Sequence, residues 1–142
     1  MKLFALSLGL LLLTSCIDNN EFHAVNYESL FNDGNSKVWM LNKVMVGDKN
    51  FAPKLPNDKD IVIFYNSGKC YFQALKKLGT QAGKKGEYSV YSSDKKITLY
   101  FQNEKWDFKI VSMEENKVIL APTKESDLSY KLEIIPLPEL NF

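Results

Sequence analysis

Residues 96–112 read KITLYFQNEKWDFKIVS, and this stretch decides the fold class. In its second half every other residue from Trp106 to Ile110 is apolar, and the residues between them are charged. Residues 96–102 alternate similarly, and Asn103-Glu104 between the two runs has the chemistry of a tight turn. A period of two is typical of strands that turn one face toward a core. The stretch therefore predicts an antiparallel hairpin.

The same alternation continues along most of the chain after Ser36. Turn-forming stretches such as Asn66-Ser67-Gly68 recur about every 8–12 residues, a spacing typical of all-β domains. No long stretch after Ser36 has the pattern of an amphipathic helix. The sequence predicts eight strands, at about residues 37–46, 60–66, 69–75, 86–92, 96–102, 105–112, 116–122 and 128–135.

Eight short antiparallel strands joined mostly by tight turns suit an up-and-down meander. An open meander leaves two unpaired edges, and closing it into a barrel removes both of them. We therefore expect an all-β, eight-stranded antiparallel up-and-down barrel over residues 37–136. A β-sandwich is the alternative, but its long crossovers have room only at residues 47–59 and 76–85.

The N-terminus has the pattern of a secretory signal. Lys2 precedes the apolar run 3–13, which is too short to span a bilayer but suits a signal-peptide core. The run ends in Leu13-Thr14-Ser15-Cys16, which resembles a bacterial lipobox. That resemblance implies removal of residues 1–15 and acylation of Cys16 with chains such as palmitate. An ordinary signal peptide with a chance cysteine is the alternative.

Residues 16–36 predict a flexible tether between the lipid and the domain, because Asn, Asp, Ser and Glu are abundant there. Within it, Tyr27 to Phe31 predicts one helical turn that covers the base of the domain. Loss of Lys2 with the signal leaves 17 Lys against 17 Asp and Glu. A balanced chain has no net field to draw it to nucleic acid or anionic lipid, so the lipid must hold it at the membrane.

Two segments carry a family resemblance. Lys37-Val38-Trp39-Met40-Leu41 opens the barrel region, and Phe64 to Lys69 forms a later hairpin containing Asn66-Ser67-Gly68. This layout resembles the small lipocalin-like lipoproteins of Gram-negative bacteria. The resemblance implies a lipid-anchored barrel at the outer membrane, on its periplasmic or its surface face, with Trp39 packed at the barrel base. Lys37 stands where the lipocalin signature has Gly, and no Arg is present to pack on the tryptophan.

The composition leaves little for catalysis. All 18 basic residues are Lys, so no guanidinium fork is available for phosphate or carboxylate. His23 lies in the tether, and Cys70 alternates with apolar residues as a small core side chain does. No hydrolase, zinc or redox motif occurs. We expect a protein that binds rather than catalyses, with no metal or cofactor.

The expected inner face is rich in aromatic side chains. In a barrel of this strand number such a face holds one small apolar ligand or fills the interior itself, and the sequence leaves both open. The candidate ligand-binding residues are Tyr88, Leu99, Phe101, Trp106, Phe108, Ile110 and Tyr130.

A second reading is an accessory subunit that docks on a larger outer-membrane secretion, adhesion or uptake complex. Its candidate contacts are a lysine-rich loop and an extended, proline-containing tail over residues 137–142. A merely solvated loop and a tail packed across its own barrel are the alternatives. The residues concerned are Lys76, Lys77, Lys84, Lys85, Leu137, Leu140 and Phe142.

Overall fold

The computed structural model describes residues 25–139. Within that range it contains one short α-helix, two single-turn 3-10 helices and nine strands. The 3-10 turns are Pro56–Asp58 and Leu75–Lys77. The other elements are α1 (Tyr27–Asn32), β1 (Ser36–Val46), β2 (Lys49–Asn50), β3 (Asp60–Tyr65), β4 (Lys69–Ala74), β5 (Lys84–Tyr91), β6 (Lys96–Phe101), β7 (Glu104–Glu114), β8 (Lys117–Pro122) and β9 (Lys131–Pro136).

Eight of the strands close into an antiparallel barrel. Each pairs with the next in the order β1-β3-β4-β5-β6-β7-β8-β9, and β9 pairs back onto β1. The predicted all-β up-and-down barrel is therefore confirmed, and the sandwich alternative does not form. The two-residue strand β2 was not predicted; it pairs with the end of β1 as a hairpin inside the 47–59 connection.

The two ends of the barrel are built differently. At the end we call the base, α1 packs beneath the start of β1, and Phe31 is completely buried. The Asn26 side chain accepts hydrogen bonds from the Glu28 and Ser29 amides, so the first turn of α1 is capped. This helix is the predicted helical turn. The opposite end, which we call the mouth, carries the connections 47–59, 75–83 and 123–130.

A small apolar layer also covers part of the outer barrel wall. Met40 and Ile61 point outward from β1 and β3, and Leu75 packs over them. Val38, Ile135 and Leu137 flank this layer. It explains why β1 and β3 are apolar on both faces, because each strand has one face in the core and the other under this cover.

Two strands start more than one residue away from their predicted start. The last strand begins at Lys131, not at residue 128, because β1 pairs with β9 only as far as Lys131 and no strand lies opposite 128–130. The Leu128 amide instead donates to Ser126 Oγ at 3.2 Å. Strand β5 begins at Lys84, which places this lysine and the next one in a strand, not in a loop.

Candidate functional site

The seven candidate ligand-binding residues all belong to one apolar core inside the barrel. Trp106 and Tyr130 are partly buried and lie at the mouth, and the other five are buried. The alternation of apolar and polar residues was sufficient to select side chains that share this interior.

A group of aromatic rings closes the mouth. Phe72, Phe101 and Trp106 meet there, with Trp106 centred 4.9 Å from Phe101 and 5.6 Å from Phe72. Phe108 and Tyr130 continue the group with ring centres 6.2 Å apart. We call these five residues the mouth cluster. Gly86 leaves space for the Phe101 ring, because a Cβ at that position would lie 2.6 Å from Phe101 Cδ1.

Beneath the mouth cluster the interior is nearly full. A void there measures about 30 Å³ and is lined by apolar side chains from β1, β3, β4 and β6 to β9. That volume is about the share of one water molecule in the liquid. An apolar ligand of ordinary size therefore has no place inside unless several rings of the mouth cluster move out.

The base is closed by a hydrogen-bonded set of rings. Trp39 is completely buried, and its indole N–H donates to the Phe31 carbonyl at 2.9 Å. The Tyr88 hydroxyl accepts from Asn32 at 3.0 Å and donates to the Tyr65 carbonyl at 2.7 Å. Phe31, Asn32, Trp39, Phe64 and Tyr88 form what we call the base cluster.

Lys37 lies over the face of the Trp39 ring at the base. Its ammonium nitrogen lies 4.5 Å from the centre of the Trp39 ring and 3.5 Å from the Asp33 carboxylate. A cation at that distance is attracted by the negative face of the ring.

The mouth has a charged inner rim. Alternation along their strands places Asp60, Lys84 and Glu104 on the inner side, above the aromatic rings, and Lys84 lies 4.0 Å from Glu104. Burial raises the pKa of the Asp60 carboxyl. Burial, with a smaller contribution from Glu104, also raises the pKa of the Tyr130 hydroxyl.

A large concavity lies on the outer wall, away from the interior. It is an open groove of about 700 Å³ across β4 and β5, bounded by the β3–β4 turn and by residues of the connection that follows Leu78. Cys70 and Gly86 face the core and so contribute only backbone. The other lining residues are Tyr65, Ser67, Lys69, Tyr71, Thr80, Gln81, Lys85 and Glu87.

The four candidate lysines are spread over separate surfaces. Lys76 lies 3.8 Å from Asp58, Lys84 faces the mouth rim, and Lys85 lines the outer groove. Lys77 ends the second 3-10 turn. The lysine-rich sequence is therefore not one continuous charged patch.

The candidate tail residues divide between described and undescribed parts of the chain. The Leu137 amide donates to the Val38 carbonyl at 3.0 Å, and its side chain packs on the outer apolar layer. This residue therefore packs across its own barrel. Leu140, Phe142, the proposed lipidation residue Cys16 and the rest of the predicted signal lie outside the described residues.

Cys70 is chemically quiet. Burial, with a smaller contribution from Glu87, raises the pKa of its thiol to about 12, so the reactive thiolate is scarce at neutral pH. Residues 25–139 contain no group of three or more His, Cys, Asp or Glu side chains arranged to hold a metal ion. No helix within that range is long and apolar enough to cross a membrane.

A scan against protein-family models finds no match, and a search of curated proteins finds no significant relative. The function therefore has to be argued from the sites themselves. The outer groove is a candidate site that the sequence did not predict. Its lining joins residues 65–71 to residues 80–87, and only the fold of the intervening connection over the barrel wall brings these together.

Proposed function

We propose that this protein is a membrane-anchored, non-catalytic binding lipoprotein of the outer membrane with a lipocalin-like barrel, and that it binds on the outside of that barrel. The observation that carries the proposal is the filled interior. The void of about 30 Å³ is too small for an apolar ligand of ordinary size, whereas the outer groove of about 700 Å³ is open. Binding sites for small molecules usually measure roughly 300–1,000 Å³.

The lipid anchor would hold the base end toward the membrane. Chain geometry limits the separation of Cys16 from Val25 to about 30 Å, since each residue extends at most about 3.6 Å. Because α1 closes the base, the chain enters the barrel there. The mouth and much of the outer wall would then face away from the lipid.

The anchor is tested by Cys16→Ser in the native host. We expect the wild-type chain to sediment with outer membranes and to incorporate labelled palmitate. The variant should incorporate no label and should leave the outer-membrane fraction. Cys70→Ser is the matched control and should behave like the wild type. Palmitate labelling that survives Cys16→Ser, or is absent from the wild type, would contradict the proposal.

The accessory-subunit reading is the second candidate. Exposed apolar side chains near the mouth, Phe51, Leu55 and Leu78, favour it, because each is at least 45% exposed. Deleting residues 137–142 tests whether the tail is the docking segment. Loss of partner capture at an unchanged melting temperature supports docking by the tail, whereas a lower melting temperature supports the self-packing that Leu137 shows.

A further inference from the structure

We infer that the outer groove across β4 and β5 binds a short acidic oligosaccharide, with Lys69 and Lys85 holding its carboxylates. This inference gives a ligand class to the binding function proposed above and rests on it.

The groove is preformed. The connection after Leu78 is fixed to the barrel wall because the Gly83 amide donates to the Tyr71 hydroxyl at 2.9 Å. The Gly83 backbone contacts β4 so closely that a Cβ added to this residue would lie only 2.7 Å from the Phe72 carbonyl oxygen. The Thr80 hydroxyl bonds to the Lys77 carbonyl at 2.7 Å. A ligand therefore meets a shaped wall and need not order a loose loop.

The charged side chains in the groove are free to meet a ligand. Lys69, Lys85 and Glu87 form no ion pair with any residue in the 25–139 range. A second concavity, of about 320 Å³ beside β1 and β9, differs in this respect, because its Lys43 and Glu133 already pair at 3.2 Å. The larger groove thus offers two ammonium groups to an anion, and with the Glu87 carboxylate opposite Lys69 its side chains carry one net positive charge.

The remaining lining suits a hydroxylated ligand. Ser67 and Gln81 supply hydroxyl and amide groups that both donate and accept hydrogen bonds, and the Thr80 hydroxyl, whose proton bonds to the Lys77 carbonyl, can accept one. Tyr65 and Tyr71 add aromatic rings with an apolar body, against which the C–H face of a sugar packs. The lining contains no Val, Leu, Ile, Met or Phe, so a ligand with aliphatic side chains gains little there.

Other classes of ligand fit less well. A peptide strand adds to a free sheet edge, but β4 and β5 are paired on both sides. A flat bilayer does not enter a groove that is bounded by the β3–β4 turn on one side and the connection after Leu78 on the other. Nucleic acid needs a basic surface that follows many phosphates, and the groove offers only two lysines. An acidic saccharide satisfies the lysines, the hydroxyl-bonding groups and the tyrosine rings together.

The test uses the full lipidated chain in nonionic detergent and isothermal titration calorimetry. The probes are tetramers of galacturonate, mannuronate and hyaluronan, with maltotetraose as the neutral arm and tetraglutamate as the acidic peptide arm. We expect at least one acidic tetramer to bind more tightly than both comparison ligands. Lys69→Ala/Lys85→Ala should weaken that binding about tenfold, which is the loss expected on removing two charge-assisted contacts at a partly exposed site.

The matched control is Lys84→Ala/Lys109→Ala, which removes the same charge from the mouth rim and another part of the wall. It should leave the affinity within about twofold, because neither residue lines the groove. The inference is overturned if no acidic tetramer binds at millimolar concentration, or if maltotetraose or tetraglutamate binds equally well. Equal losses in the two double variants overturn it too. The Cys16→Ser result is independent of these outcomes, so failure of the ligand assignment is distinguishable from failure of the lipoprotein proposal.

Discussion

The base and the mouth of this barrel are both closed by aromatic rings, but by different chemistry. At the base, the Trp39 N–H and the Tyr88 hydroxyl are hydrogen-bonded inside a fully enclosed cluster. At the mouth, Trp106 and Tyr130 are partly buried, and neither polar group bonds to another side chain or to the backbone within residues 25–139. Directional hydrogen bonds therefore hold the rings at the base, whereas apolar packing alone holds the Trp106 and Tyr130 rings at the mouth.

This difference indicates that the base of the barrel is held in one arrangement, whereas the rings at the mouth can rearrange more easily. Buried hydrogen bonds select one arrangement, because breaking them leaves unpaired polar groups away from water. Packing without such bonds tolerates rearrangement at lower cost. The mouth is thus the end at which the interior would open. At the base, hydrogen bonds and packing hold α1 against the barrel.

The largest expected effect comes from the two tryptophans. Trp39→Ala should lower the free energy of unfolding by about 3–5 kcal/mol, the range for truncating a fully buried large ring. Trp106→Ala should cost about 2 kcal/mol, because part of that ring is already exposed to water. Urea denaturation measures both, and Trp39→Phe provides a milder variant if the alanine variant does not fold. Equal losses at the two positions would remove the proposed difference between the ends.

A matched pair of hydroxyl deletions tests the hydrogen bonds directly. Tyr88→Phe should destabilise the protein by about 1–2 kcal/mol, since it leaves the buried Asn32 amide without its acceptor and removes one of the two hydrogen bonds to the Tyr65 carbonyl. Tyr130→Phe should change stability by less than about 0.5 kcal/mol, because its hydroxyl bonds to no other described residue. A larger loss from Tyr130→Phe would show that the mouth is also held by a polar contact.

The smallest effect is electrostatic and depends on pH. Burial raises the folded-state pKa of Asp60, so the folded chain binds this proton more tightly than the unfolded chain does. Stability then falls as pH rises through the interval between the unfolded and folded pKa values. Asp60→Asn should therefore stabilise the protein at pH 7 and lose that advantage in acid, as measured by melting temperature across pH.

Asp107 on the outer wall provides the opposite case. Burial alone would raise its pKa, but hydrogen bonds from Thr98 and Lys105 lower it below the ordinary value. Its stabilising contribution is therefore present at neutral pH and is lost as pH falls through the depressed folded value. Asp107→Asn should destabilise at pH 7. A change of the same sign in the two variants would contradict the assignment at the mouth.

Much of the fold could be read from the sequence because a barrel repeats one simple pattern. Alternation identified the inward residues from Ile97 to Ile110, and the turn residues placed most strand ends within two positions. The strand β2 was missed because two residues carry no periodic signal. The start of β9 was misplaced because pairing, which depends on the partner strands, decides where an alternating run becomes a strand.

The sites were less predictable than the fold. The sequence placed Trp106 and Phe108 on one inner face but left open whether that face was hollow or full, because the answer depends on how the side chains pack around the whole barrel. The outer groove depends on the path of residues 78–83, where Gly83 approaches β4 and meets Tyr71. No local sequence pattern predicts this contact between Gly83 and β4.

The central claim is that the interior is filled by the protein's own side chains and that binding takes place outside. Native mass spectrometry of the lipidated chain, purified from its host's membranes in mild detergent, tests it most directly. We predict a mass equal to the processed chain and its covalent lipid, with no retained apolar molecule. A stoichiometric, noncovalent apolar component of a few hundred daltons that stays bound until Trp106→Ala or unfolding releases it would contradict the account.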